Sequence, residues 1–524
     1  MATSPSKGLH SNECNRGQCG LPGTPPMTPG ALTAAALGES VQSGGSAEAQ
    51  SLEGEPPLVV DLDGCLLRTD MLIESTLSLV KGNPGYLFAL PWWLLGGKAK
   101  MKREIARRTE MDATLLPVTE DFLVYLHAQR RRGRKLVLAT ASDHKWADAV
   151  AHRLQVFDEV IATNGEFNLK GARKAAALIA RFGDRGFDYA GDSNADLSVW
   201  RHARYGVLVN ASAALARSAA SVCSVESKFS SPRPSFKDYL RALRVHQWLK
   251  NLLLFVPLFT AHAWGDRGML IRTLLGYAAF CLCASATYLI NDMLDLASDR
   301  QHPRKRHRAF ASGTVPLTHG MVAVAVLLCA GVAISASIGV PFLLALAAYI
   351  VATLAYSLHL KTYVLIDTMT LAGLYTLRII AGGAATGIEL SFWLLAFSTF
   401  LFLSLANVKR CSELSALLQQ RKVAAHGRDY QVTDLTSVTI MGVASGYIAV
   451  LVLALYLQSP DVVRHYSRPW VMWMLCPIIL YWISRMWIKA GRGEMDDDPL
   501  VYTVYDRASL ILILAAAATV VAAL

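Results

Sequence analysis

Asn291, Asp292, Asp295 and Asp299 follow directly on a long apolar stretch, Leu274 to Ile290. Polar oxygens at the mouth of a membrane helix are costly to keep there unless a cation binds them. Spaced by three or four, these four side chains share one face if the segment is helical. Hard oxygen ligands on one face suit Mg²⁺, which is typically held by one or two carboxylates plus substrate phosphate oxygens. Immediately downstream, His302-Pro303-Arg304-Lys305-Arg306-His307-Arg308 forms a dense cationic loop able to grip phosphates. Carboxylates for a metal, then bases for phosphate, at a membrane surface, point to diphosphate chemistry on a lipid.

A second constellation lies earlier in the chain. Val59-Val60-Asp61-Leu62-Asp63-Gly64 places two carboxylates at the end of an apolar run. In an extended chain, residues two apart present their side chains on one face. Leu138-Ala139-Thr140-Ala141-Ser142 ends another run in hydroxyls, Lys170-Gly171 follows a turn, and Gly191-Asp192-Ser193-Asn194-Ala195-Asp196 closes a third.

The elements that must position these groups differ between the two halves. Hydrophobic residues make up 53% of the 524 and charged residues 17%, and mean hydropathy is +0.32. The apolar runs concentrate in 248–524. Before them, short apolar strands at Leu58–Leu62, Lys135–Ala139 and Tyr189–Ala190 alternate with helical segments, the pattern of a parallel α/β domain with its loops at the carboxyl ends of the strands. Residues 67–117 read as an inserted helical cap whose apolar run 86–95 is too short to span a bilayer, a membrane-surface contact being the alternative. Trp92 and Trp93 are expected to pack inside the cap, with a lipid-linked substrate as the other surface they could face. Nine apolar segments follow, near 248–264, 269–290, 316–337, 341–358, 364–386, 391–407, 436–457, 470–488 and 506–523. Expected boundaries are a disordered leader 1–56, an α/β domain 57–227, a linker 228–238 and an all-α membrane bundle 239–524.

Net charge is +11. The bases cluster between apolar segments, which favours membrane loops over nucleic-acid binding. One set of loops carries Arg300, Arg304, Lys305, Arg306, Arg308, Lys361, Lys409, Arg410, Arg421, Lys422, Arg428, Arg485, Lys489 and Arg492; the opposite set carries Arg267, Arg272, Arg464 and Arg468. The first set is therefore expected on the cytoplasmic side of an inner membrane, together with the α/β domain that joins it there. Cys14 and Cys19 lack neighbouring ligands, and no cysteine framework is evident.

On that same side Tyr356 and Lys361 lead to Asp367, with Arg378 further along the segment, and Lys409, Arg410 and Glu413 end the sixth segment. Intramembrane Asp and Arg are functional by default. Together with Asn291-Asp-x-x-Asp295-x-x-x-Asp299-Arg300, these features resemble the UbiA superfamily of intramembrane prenyltransferases. The resemblance covers roughly 239–524. Gln247-Trp248-Leu249-Lys250-Asn251, the His302–Arg306 loop, Ser404-Leu405-Ala406-Asn407 and Asp498-Pro499 are most similar to its decaprenyl-phosphate phosphoribosyltransferase branch. The resemblance implies Mg²⁺ on Asp292, Asp295, Asp299 and Asp367, with Asp292 and Asp295 central to catalysis. It also implies substrate contacts from Lys250, Asn251, Asn291, Arg300, Lys305, Arg306, Tyr356, Lys361, Arg378, Lys409 and Arg410. The second motif offers one acidic residue, Asp367, where many relatives have an Asp-rich run.

Asp61, Asp63, Thr140, Lys170, Asp192 and Asp196, in this order over 57–227, resemble the haloacid dehalogenase superfamily, a Rossmann-like α/β fold. That likeness implies Asp61 as nucleophile, Asp63 as general acid and base, Thr140 and Lys170 as phosphoryl ligands, and Mg²⁺ on Asp61, Asp192 and Asp196. The implied partners are a polyprenyl lipid and a diphosphate-bearing donor. Two donors are compatible: 5-phosphoribosyl diphosphate attacked by a polyprenyl phosphate, or a polyprenyl diphosphate attacked by an aromatic acceptor. A transporter with a regulatory soluble domain is the alternative of another class.

Overall fold

The computed structural model describes residues 54–164, 168–420, 428–459, 466–495 and 498–524. The expected leader up to residue 53, with Cys14 and Cys19, lies outside the described residues, as do Arg421, Lys422 and Arg464.

Leu58, Val59 and Val60 are wholly buried, as a strand covered on both faces must be. They form β1 (Leu58–Val60), followed in sequence by β2 (Leu136–Asp143), β3 (Glu159–Thr163), β4 (Asp188–Gly191), β5 (Tyr205–Val209) and β6 (Ser224–Phe229). All pairings are parallel and the order is β3-β2-β1-β4-β5-β6. Strand order reverses beside β1, so the crevice beyond the carboxyl ends of β1 and β4 is where an open α/β sheet takes its ligand. Asp61 and Asp192 directly follow those two ends.

The insertion leaves and rejoins the domain at a bridge between Leu67 and Val118. It contains three α-helices, α1 (Met71–Gly82), α2 (Tyr86–Leu95) and α3 (Lys98–Arg108), and a 3₁₀ turn, Ala113–Leu115. The Asp70 carboxylate accepts from Ile73 N at 3.0 Å and caps α1. The two tryptophans do not both pack inside this cap. Trp93 is half-buried against Tyr86, but Trp92 is 76% exposed. An apolar segment of ten residues has too few neighbours here to bury all its faces.

In the helical part, six helices among the described residues are long and apolar enough to cross a bilayer, or seven if a pair bent by 88° counts as one span. The six are Arg267–Leu294, Leu317–Ile338, Val340–Leu358, Phe392–Gln419, Val432–Leu457 and Pro469–Gly491; the bent pair is Pro499–Tyr505 with Arg507–Ala523. The expectation of nine segments differs at identifiable places. The first folds as a 3₁₀ helix, Val245–Phe255, and a five-residue α-helix, Val256–Thr260, with Pro257 near the break. The fifth is a helix, Ile366–Thr386, that carries the buried Asp367 and Arg378. Its Gly382 lies against Leu254, whose carbonyl oxygen would be 2.1 Å from an added Cβ, so only glycine lets the broken first segment pack this closely.

The α/β part and the helical part are joined through α1. Ile73 and Leu77 pack on a cluster that includes Leu289, Met293, Leu296, Phe310 and Val315. Beside them Arg300 donates to both oxygens of Glu74, at 2.9 and 2.6 Å, with both side chains nearly buried.

Candidate active sites

In the α/β part, one oxygen from each of Asp61, Asp192 and Asp196 lies within 4.8 Å of the others, although the residues come from two strand ends. The approach is close enough to require glycine at position 64, where φ is +76° and an added Cβ would sit 2.2 Å from Asp192 Oδ2. Three carboxylates this near repel unless cations intervene. Lys174, only 2% exposed, supplies one charge: its Nζ is 2.8 Å from Asp61 Oδ2 and 4.0 Å from Asp196 Oδ1. It also donates to the Tyr189 hydroxyl at 2.9 Å, which in turn donates to Asp196 at 2.8 Å.

One lysine does not neutralise the cluster. Burial, then Asp61 and Asp196, push the Asp192 carboxyl up to about 8. Burial raises Asp61 as well, against the pull of Lys174. Burial alone would lower the Lys174 ammonium, but the carboxylates of Asp61 and Asp196 outweigh it and hold it above its ordinary value. A hard, oxygen-lined, electron-rich cage of this kind fits Mg²⁺.

Asp63 stands apart from the three. Its Oδ1 accepts from Met71 N at 2.8 Å and its Oδ2 from Ser142 Oγ at 2.6 Å. Burial and the neighbouring Asp70 push it up to about 7, where a carboxyl can both give and take a proton near neutrality. Thr140 is fully buried, and its Oγ1 accepts from Ser142 N at 3.0 Å. Lys170 is exposed, four residues before the buried Lys174. From the cap, Lys102 on α3 donates to Ala141 O at 2.5 Å and to Asn168 Oδ1 at 3.2 Å, and burial lowers its ammonium. Lys174, Tyr189 and Lys102 were missed by the motif reading, and Ser142 was noted only as a hydroxyl at the strand end. A second lysine four residues after Lys170 was the available signal for Lys174.

At the membrane site the acidic run does not keep one face. The helix ends at Leu294, Asp295 is its C-cap, and a new helix, Leu296–Gln301, begins. The break turns Asp295 away from its neighbours: it receives Lys81 of α1 at 2.8 Å and Lys361 at 3.1 Å. Asp292 and Asp299 do meet, through Arg308 Nη1, at 3.0 and 2.7 Å. Arg244 also pairs with Asp292. The bridging guanidinium nitrogen occupies the position a shared cation takes, so these two carboxylates with added phosphate oxygens fit Mg²⁺.

Asp367 has partners of its own. It is fully buried, accepts from Tyr356 Oη at 2.8 Å and pairs with Arg410, which also reaches Glu413. Arg378 donates to Asn251 at 2.9 Å and to Tyr349 at 3.0 Å rather than to Asp367. Lys250 and Lys409 converge on Asp498, at 2.6 and 3.4 Å, and Tyr375 Oη donates to the same carboxylate. Arg300 is taken by Glu74, while Lys305 and Arg306 are exposed and Asn291 is half-buried. Arg244 and Arg308 are thus added to the Asp292–Asp299 cluster, while Tyr375 joins Lys250 and Lys409 around Asp498. Arg308 lay in the basic loop already singled out.

A family model described as the UbiA prenyltransferase family matches residues 252–510. The chain is 36% identical over 457 residues to an uncharacterized protein, y4nM, of Sinorhizobium fredii, covering 86% of this chain and 88% of that one. That alignment is longer than the helical part, so the relative shares both halves. Nodulation protein NoeC of Azorhizobium caulinodans is 37% identical over 280 residues, 53% of this chain and 91% of that one. Decaprenyl-phosphate phosphoribosyltransferase of Corynebacterium glutamicum is 33% identical over 258 residues, 48% of this chain and 76% of that one. The protein is a multi-pass membrane protein, and it belongs to the UbiA prenyltransferase family.

Proposed function

We propose that the membrane part transfers 5-phosphoribose from 5-phosphoribosyl diphosphate to a polyprenyl phosphate, and that the α/β part is a phosphatase acting on the phosphorylated lipid product. The first reading is carried by the cationic walls around Asp292 and Asp299, taken with the similarity to decaprenyl-phosphate phosphoribosyltransferases. Arg244 and Arg308 would take the charge that builds on a departing diphosphate, and fixed cations in a water-poor site stabilise such charge strongly. Asp292 and Asp299 would hold Mg²⁺ there, which lowers the charge on diphosphate oxygens when bound. The polyprenyl chain lies among the lipid-facing helices.

The convergence of Asp61, Asp192 and Asp196 carries the second reading. Asp61 attacks phosphorus, forming an acyl phosphate as the ester oxygen leaves. Asp63, kept near neutrality and aimed by Ser142 and Met71 N, gives its proton to that oxygen and then takes one from the attacking water. Lys174 orients Asp61 and offsets negative charge in the transition state. Mg²⁺ on Asp61, Asp192 and Asp196 would neutralise the phosphoryl oxygens.

Membranes supplied with labelled 5-phosphoribosyl diphosphate and polyprenyl phosphate should form a Mg²⁺-dependent lipid-linked label. Its absence discards the phosphoribosyl reading. Label transfer from a polyprenyl diphosphate to an aromatic acceptor would establish the prenyl version instead. The bases of the loops favour the cytoplasmic side of an inner membrane for the α/β part and the Asp292 site.

A further inference from the structure

None of the ten residues of α2 is buried. Phe88, Leu95 and Trp92 are 88%, 82% and 76% exposed, and Leu87 and Leu94 are about half exposed. A continuous apolar surface of this kind is not left facing water without a partner. The segment Tyr86-Leu87-Phe88-Ala89-Leu90-Pro91-Trp92-Trp93-Leu94-Leu95 holds no charge and is too short to span a bilayer. Packed beside it, α3 exposes Lys98, Lys100, Arg107 and Arg108, the last two flanking Glu104, and the Arg108 guanidinium lies 4.8 Å over the Trp93 ring. Tryptophan and leucine next to a basic helix is the make-up of a segment that lies in the headgroup layer of an anionic membrane.

Position argues the same way. Lys81 Nζ is 2.8 Å from Asp295, the residue after the Arg267–Leu294 span. Tyr86 comes five residues later, and five residues of chain reach at most about 17 Å. α2 therefore starts close to where that span leaves the bilayer, and α1 is fixed there by Ile73, Leu77 and the Glu74–Arg300 pair.

We propose that α2 is an interfacial membrane helix, its apolar residues inserted among the phospholipids of the leaflet at the Asp295 end of the spans and α3 facing their headgroups. The same cap reaches the α/β crevice through Lys102, so lipid contact also holds that crevice against the membrane surface. It would favour phosphate esters carried on lipids. This last step rests on the phosphatase reading; the insertion does not.

The test uses the full chain in nanodiscs of phosphatidylcholine and phosphatidylglycerol, with the photoreactive p-benzoylphenylalanine in place of Trp92. A matched probe replaces Val124, which is 65% exposed on the helix Glu120–Arg131 of the α/β part. After irradiation, intact-mass spectrometry should show a one-phospholipid adduct at position 92, at least fivefold more abundant than at position 124. Equal yields at the two positions, or a covalent dimer of the chain in place of the lipid adduct, overturn the proposal. The readout needs no enzymatic turnover, so its failure and that of the phosphatase reading are separable.

Discussion

Lys174→Met isolates the charge that the structure places against Asp61. Nζ lies 2.8 Å from Asp61 Oδ2. At an effective dielectric of about 20 that attraction is on the order of 6 kcal/mol, much of it offset by desolvation. Removing one partner of a buried pair typically leaves a net loss of about 3–5 kcal/mol. Here the loss falls on a site that already holds Asp192 and Asp196. In the transition state the missing cation is worth about 3 kcal/mol, or about 100-fold in kcat. The assay is Mg²⁺-dependent hydrolysis of p-nitrophenyl phosphate by the full chain, with melting temperature followed in parallel. Lys174→Met should lower kcat about 100-fold and destabilise the metal-free protein, with Mg²⁺ recovering part of the stability. The label-transfer reaction of the membrane part should be unchanged. Lys170→Met, at the exposed neighbour, should change kcat by less than about threefold. Hydrolysis by Lys174→Met at near wild-type rate, or a larger loss from Lys170→Met, would refute the assignment.

The Asp61→Asn protein should accumulate the phosphorylated lipid in cells, seen by mass spectrometry of membrane extracts; an unchanged lipid profile argues for a separate phosphatase substrate. Without metal, Asp192 keeps a proton in the folded protein up to about 8 that the unfolded chain releases above its ordinary value of 3.8, so stability should fall as pH rises from about 4 toward 8. The Mg²⁺-induced rise in melting temperature should grow over the same window, and an equal rise at pH 5 and pH 8 would contradict the cage. Arg308→Gln should raise KM for 5-phosphoribosyl diphosphate about tenfold or more, because it leaves Asp292 and Asp299 without their bridging cation; an unaltered KM removes Arg308 from the site. Glu74→Ala and Arg300→Ala should be coupled by about 1–3 kcal/mol in thermal unfolding of the full chain, whereas strict additivity would mean the cap is not held by this pair.

Much of this architecture was legible in the chain. The alternating apolar and acidic runs at Val60-Asp61 and Ala190-Gly191-Asp192 gave the strand ends, because a buried parallel strand must be apolar throughout and polar only where it stops. The motif residues Asp61, Asp192 and Asp196 do meet, since the sheet order that brings β1 beside β4 is a property of the whole fold class. Local spacing also marked the Asp292 run and the basic loop that follows it.

Where a side chain points depended on contacts that spacing does not encode. The i, i+3, i+4 rule predicted one face for Asp292, Asp295 and Asp299, but a helix break at Asp295 sent its carboxylate to Lys81 and Lys361. Lys170 and Lys174 are chemically identical and four residues apart, one before the helix Ala172–Phe182 and one within it; only burial selects the second as the partner of Asp61. Asp367 and Arg378 are near in sequence, yet each is claimed by groups from other helices, Arg410 and Asn251. Residue types and their order set which chemistry each half could perform, because backbone periodicity and strand polarity are local. Long-range packing decided which charges share a site and which face of the cap stays bare, because desolvation is settled by whatever the folded chain brings alongside.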